Sequence, residues 1–251
     1  MSPYDFGFEP LFLALAAGAA ALYWRAARED PPPRWRIASF AAGVFLIAAS
    51  LNSPLENLAA HYLLLIHLLQ NALVADVAPL LVVLGLTPGM RGALIRRGAG
   101  RLRSRWILPV WLLAWYLTHL APFYDWALRT GWGLNIEHGI LMVAGLLFWW
   151  PIVSRRLTPA TGLAYLAAGF VGSVFLGLAY VFSSHPYYAF YEHAPRLWGL
   201  SAERDQSLGG ILMNGEQTLV FLLAIGYFVL RLLDEEHEGE HEGQAPVGRP
   251  G

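Results

Sequence analysis

The sequence predicts an all-α fold: a polytopic membrane bundle of seven transmembrane helices, with the N-terminus outside and the C-terminus in the cytoplasm. Three observations predict it. Of 251 residues, 56% are hydrophobic and 14% charged, against roughly 25% charged in an average soluble domain, which excludes an ordinary soluble enzyme. The apolar residues fall in long runs broken by Pro, Gly or charge, and about 20 apolar residues suffice to cross a hydrocarbon core about 30 Å thick. All 17 basic residues are Arg, and they cluster in alternate loops.

The runs are Pro10–Trp24, Trp35–Leu51, His61–Leu86, Trp106–Leu120, Ile136–Val153, Pro159–Phe182 and Leu208–Leu233. The residues before Pro10 carry acids instead of the basic n-region of a cleavable signal, so the first run is expected to remain as a helix. Backbone polar groups in lipid must be paired within the segment, which makes each run a helix. Pro79, Pro109 and Pro151 fall inside or near the ends of runs and are expected to kink them. Between these runs, the first, third and fifth loops hold 12 Arg (Arg25, Arg28, Arg34, Arg36; Arg91, Arg96, Arg97, Arg101, Arg103, Arg105; Arg155, Arg156). The other loops hold three: Arg129, Arg196 and Arg204. Positive charge stays on the cytoplasmic side, and this sets the orientation. The chain is thus read as a transmembrane domain over residues 1–233 and an acidic cytoplasmic tail over 234–251, expected to be disordered. In that tail, His237 and His241 stand among glutamates as either a weak metal site or a solvated face.

Chemistry is confined to a few polar residues. There is no Cys, so thiolate metal sites and disulfides are excluded, and no nucleophile, zinc-protease or phosphate-loop motif is present. Short basic loops explained by topology argue against nucleic acid as a partner. Six of eight His fall at the outer end of the bundle: His61, His67, His119, His138, His185 and His193. His67, Gln70 and Asn71 are spaced i, i+3, i+4 and share one helical face. His61 lies about 9 Å further out along the same run and about 240° around it. An ionisable group at such a depth is functional by default, whereas Gln70 and Asn71 also suit interhelical hydrogen bonding.

His119 ends the fourth run, and Glu137-His138 opens the fifth. There Glu137 either orients a metal-binding imidazole or acts as an interfacial cap beside Trp132. Imidazoles and the thioether of Met213 suit copper. Asp76, deep in the third run, is either a structural hydrogen-bonding group paired with Asn214, Glu216, Gln217 or Thr218, or part of a proton path. The aromatic stretch 185–193 reads as an interfacial anchor in preference to a ligand-binding segment.

Four stretches, taken in order, resemble the CtaG-type cytochrome c oxidase assembly factors of the seven-helix kind, over roughly Ser53 to Leu233. They are Ser53-Pro-Leu55 with His67-Leu-Leu-Gln70, Ala78-Pro-Leu-Leu81 and Gly85; Trp115 with His119, Pro122, Tyr124, Asp125 and Ala127-Leu128; Glu137-His138 with Gly145, Trp149 and Trp150; and Asp205-Gln206 with Gly209-Gly210 and Met213. The family's third-span motif is similar to His-Met-x-Gln-His, so Asn71 stands where a second His is expected, and Asn214 stands where a Trp is expected after Gly-Gly-x-x-Met.

The resemblance implies a non-enzymatic assembly protein of the bacterial cell membrane, with cytochrome c oxidase subunits and the lipid bilayer as partners. It also implies copper held or delivered at an extracytoplasmic His site. His67, His119 and His138 match by position, and His61, His185 and His193 are added only from topology, with Met213 as a soft ligand. Gln70, Asn71, Glu137, Asp205 and Asp76 are supporting polar residues. Two alternatives stay open: a metal-free scaffold packing through Gly- and Ala-rich faces, and a haem-binding electron-transfer bundle.

Overall fold

A computed structural model describes residues 2–99 and 104–243. Among these, every regular element is helical. Six helices or continuous helical segments are long and apolar enough to cross a membrane: α1 (Pro10–Glu29), α2 (Arg34–Leu51), the run Leu64–Gly85, α9 (Gly133–Val153), α10 (Pro159–Phe182) and α12 from Ala202 to Leu233. A seventh is the pair α7 (Ser104–Thr118) and α8 (Ala121–Arg129), which bends by 64° at its break. Short helices α3 (Pro54–His61), α6 (Pro88–Arg96) and α11 (Ala189–His193) lie between them.

Helix starts share a local rule. Ser53, Thr87 and Thr158 each precede a Pro, and each hydroxyl accepts a backbone N–H of the first turn, from Leu55, Met90 and Thr161 respectively. The side-chain oxygen satisfies an orphan donor, and Pro occupies a position whose N–H is not needed. At the far end of the Leu64–Gly85 run the last carbonyls are met from neighbouring helices. Arg36 donates to Leu84 and Leu86 oxygens at 2.7 and 2.6 Å, and Tyr23 donates to Gly85 at 3.1 Å.

The run Leu64–Gly85 is the axis of the bundle. It comprises α4 (Leu64–Ala72), a π-helical turn Leu73–Val77 and α5 (Ala78–Gly85). Pro79 has no N–H to give the Ala75 carbonyl, and the ladder widens there: Ala78 N–H bonds to Leu73 oxygen, five residues back. Against this turn packs α9, through Gly145. A side chain at Gly145 would strike the Ala75 carbonyl. In lipid, helices associate through such close contacts rather than by escape from water. Burial follows the same order: 61% of the best window is buried in both Leu64–Gly85 and α9, against 11% in α1.

Several expectations shift. The third span begins at Leu64, because the chain turns at Tyr62, and His61 belongs to the separate helix α3. The fifth span starts at Gly133, so Glu137 sits one turn inside the helix and not at its opening. The seventh starts at Ala202 and continues as helix past Leu233 to Gly243. Residues 244–251, Arg101 and Arg103, and the side chains of His237 and His241, lie outside the described ones.

Candidate metal centre

The end of the bundle where α4 begins gathers the polar side chains. His67, Gln70 and Asn71 come from α4, His119 from the break between α7 and α8, Tyr124 from α8, and Glu137 and His138 from α9. Tyr188 and Tyr191 come from the connection between α10 and α12. All of these are buried, Gln70, Asn71, Tyr124 and Glu137 completely. The break positions His119: α7 ends at Thr118, and Pro122 begins a new helix in a new direction.

Hydrogen bonds assign the imidazole protons. Tyr191 donates its hydroxyl proton to the Ala59 carbonyl at 2.5 Å, so its oxygen accepts from His67 Nδ1 at 2.8 Å. His119 Nδ1 donates to the Trp115 carbonyl at 2.7 Å. Each ring, when neutral, therefore turns an Nε2 lone pair into the pocket. His67 Nε2 faces Glu137 Oε1 at 3.4 Å. The same carboxylate oxygen accepts from Asn71 Nδ2 at 2.9 Å, and Asn71 Nδ2 is 3.5 Å from His119 Nε2. His138 stands edge-on to His67, ring centres 5.6 Å apart, and both its ring nitrogens are buried without a partner.

The arrangement is charge-hungry. A neutral His67 sets a lone pair opposite a carboxylate, which is favourable only with a positive charge between them or on the ring. His119 and His138 also lie within electrostatic reach of Glu137. Imidazole nitrogen is a good ligand for copper, and a carboxylate beside it raises its basicity. Among the described residues, no three His, Asp or Glu side chains already stand in an arrangement that could hold a metal ion. The pocket brings candidate ligands to one place without closing a full coordination shell.

A model of the cytochrome c oxidase caa3 assembly factors (Caa3_CtaG) matches residues 18–235, which include every helix that lines this pocket. The chain belongs to that family. Membership in the caa3 assembly factors points to a part in building the oxidase and not to catalysis. No curated protein and no solved structure is significantly similar to the chain.

Within this caa3 assembly factor, the expected residues divide. His67, His119, His138 and Glu137 are brought together, with Asn71 between them. Met213 lies in the apolar wall, in one buried cluster with Leu64, Trp115, Tyr124 and Tyr191. His61 does not join: it is exposed, its Nδ1 lies 3.2 Å from the Asn57 carbonyl, and it lines a surface recess with Arg129. His185 and His193 are exposed too.

Gln70 acts as a brace, donating to the Ser50 carbonyl at 2.6 Å and to Glu56 at 2.9 Å. Asp205 caps α4 from α12, accepting from Leu64 and Leu65 N–H at 2.8 and 3.0 Å. Asp76 lies deeper, away from the imidazoles.

The stretch 185–193 corrects the reading as an anchor. Tyr187 is exposed, but Tyr188 and Tyr191 fold inward. Asp125 accepts from Phe190 N–H at 3.0 Å and Gln206 from Tyr187 N–H at 2.7 Å, which pins the loop over the pocket. Tyr188 donates to the His119 carbonyl at 2.8 Å and stacks on Tyr124. Burial raises the Tyr188 and Tyr191 phenols well above their usual range, so both remain neutral. The inward tyrosines could have been sought in the spacing of Tyr188 and Tyr191, three apart on one face.

Proposed function

We propose that this caa3 assembly factor holds a copper ion between His67 and His138, with His119 and the charge of Glu137 assisting, and passes it to oxidase subunits during assembly. The observation that carries the reading is a set of buried imidazole nitrogens: both of His138, which have no hydrogen-bond partner, and Nε2 of His67, which faces the Glu137 carboxylate at 3.4 Å. Buried polar groups are almost always hydrogen-bonded, and unpaired imidazole nitrogens around one carboxylate suit a cation. The ion is cargo, and the incomplete ligand set fits release as well as capture. In this reading the pocket faces outward from a bacterial cell membrane, the N-terminus lies outside, and the Arg-rich loops lie in the cytoplasm.

A second reading, a metal-free scaffold, is favoured by Asn71. Its amide already satisfies Glu137 Oε1, and a proton on His67 Nε2 would complete the pair without metal. Deleting the gene and measuring oxidase activity with and without added copper separates the two. Copper delivery predicts lost activity that returns with added copper, and no complementation by a His67→Ala, His138→Ala chain. Complementation by that chain, with no effect of copper, supports the scaffold.

A further inference from the structure

Beyond the histidine pocket, at mid-span, two carboxyl-bearing residues lie where α12 crosses the π turn, with no ion pair to Arg or His among the described residues. Asp76 lies in the π turn, five residues past Asn71 and so about 7.5 Å along the axis at 1.5 Å per residue. It is fully buried. Gln217 Nε2 donates to its Oδ2 at 3.4 Å, and its Oδ1 has no partner. On α12, Glu216 lies within electrostatic reach of Asp76.

Both Glu216 carboxyl oxygens are buried without a partner, and so is Oε1 of Gln217, a side chain only 1% exposed whose amide is already turned to Asp76. The elements packed on the π turn are α2, α4, α5, α9 and α12. They bring one titratable group to Asp76, namely Glu216, and neither carboxyl forms an ion pair with Arg or His among the described residues.

Every unsatisfied atom in this cluster is therefore an oxygen acceptor. Two ionised carboxylates in an apolar interior without a counter-ion are prohibitively costly. The neutral amide oxygen of Gln217, on the same group whose nitrogen meets Asp76, is buried without a donor and requires a donor or a cation as well. The π turn has a structural cause in Pro79, and turns of this kind recur at functional positions. We propose that Asp76, Glu216 and the Gln217 amide oxygen form an exchangeable cation site at the middle of the bundle, and that its occupant is a proton. The site is separate from the histidine pocket and does not depend on copper.

The test uses the full chain in lipid nanodiscs treated with a hydrophobic carbodiimide, which reacts with protonated carboxyls inside membranes. Labelled residues are located by peptide mass. Label is expected on Asp76 or Glu216, and its rate should fall by about tenfold per pH unit once the medium is alkaline of the pair's titration. Asp76→Asn and Glu216→Gln should each alter that pH profile. A rate independent of pH would overturn the proposal, since it means a locked structural proton, and so would no label on either residue. Protection by sodium but not by choline would overturn the proton as occupant. The labelled residue, its pH dependence and its protection by cations are all read on the wild-type chain, so poor folding of a variant does not blunt the test.

Discussion

The Tyr191 hydroxyl lies 2.8 Å from His67 Nδ1 and 2.5 Å from the Ala59 carbonyl oxygen. Because the carbonyl only accepts, the phenol must accept from the ring, and His67 presents Nε2 to Glu137. One tyrosine on an extramembrane loop thus sets the tautomer of a histidine inside the bundle. Loss of such a supporting partner typically costs about 10–100-fold in metal affinity. Tyr191→Phe is expected to weaken Cu(I) binding by that order while leaving the helical content unchanged, as measured by competition with a chromogenic chelator and by circular dichroism.

Asn71 occupies the space between Glu137 and His119. Asn71→His would replace an amide donor by a third imidazole beside His67 and His119. Retained copper after dialysis should rise relative to wild type. Unchanged or lower retention in a folded protein would show that Asn71 serves the carboxylate and not an ion.

Glu56 couples the pocket's brace to pH. Burial pushes its carboxyl up to about 7 from 4.5, against the opposing hydrogen bond from Gln70. The protonated form is the one the fold prefers, so its contribution is fully present below pH 4.5 and is lost as pH rises through about 7. That contribution is on the order of 3 kcal/mol at about 1.36 kcal/mol per unit. Glu56→Gln keeps an acceptor for Gln70 and should flatten the thermal stability of the purified protein across this window, with the gain largest at the alkaline side.

Asp205 reaches from α12 to cap two N–H groups at the start of α4. Asp205→Ala leaves both donors unpaired, the buried Leu64 N–H at about 1–3 kcal/mol. The midpoint of thermal unfolding should drop accordingly, whereas Asp205→Asn, which retains an acceptor, should drop less.

The spans were legible because lipid leaves the backbone no alternative to helix, and so was the common depth of His67, His119 and His138; whether they meet was not, since it depends on how three helices turn their faces. The break at Tyr62 was not legible: the apolar run reads without interruption from His61 to Leu86, and only the fold shows that His61 ends the separate helix α3. The inward turn of Tyr188 and Tyr191 was hidden for another reason. A tyrosine near a membrane end suits an interface or a buried hydrogen bond equally, and the pins that decide it, Asp125 and Gln206, are far away in sequence. The π turn was legible only as a proline, since its consequence depends on Gly145 in another helix.

The central claim is that the imidazoles of His67 and His138 hold a copper ion. The most direct measurement is the copper content of the purified full chain after anaerobic Cu(I) loading and removal of excess, for wild type and for His67→Ala, His138→Ala. The account predicts near one ion per wild-type chain and little in the variant. Less than about a tenth of an equivalent in a folded wild-type chain would contradict it.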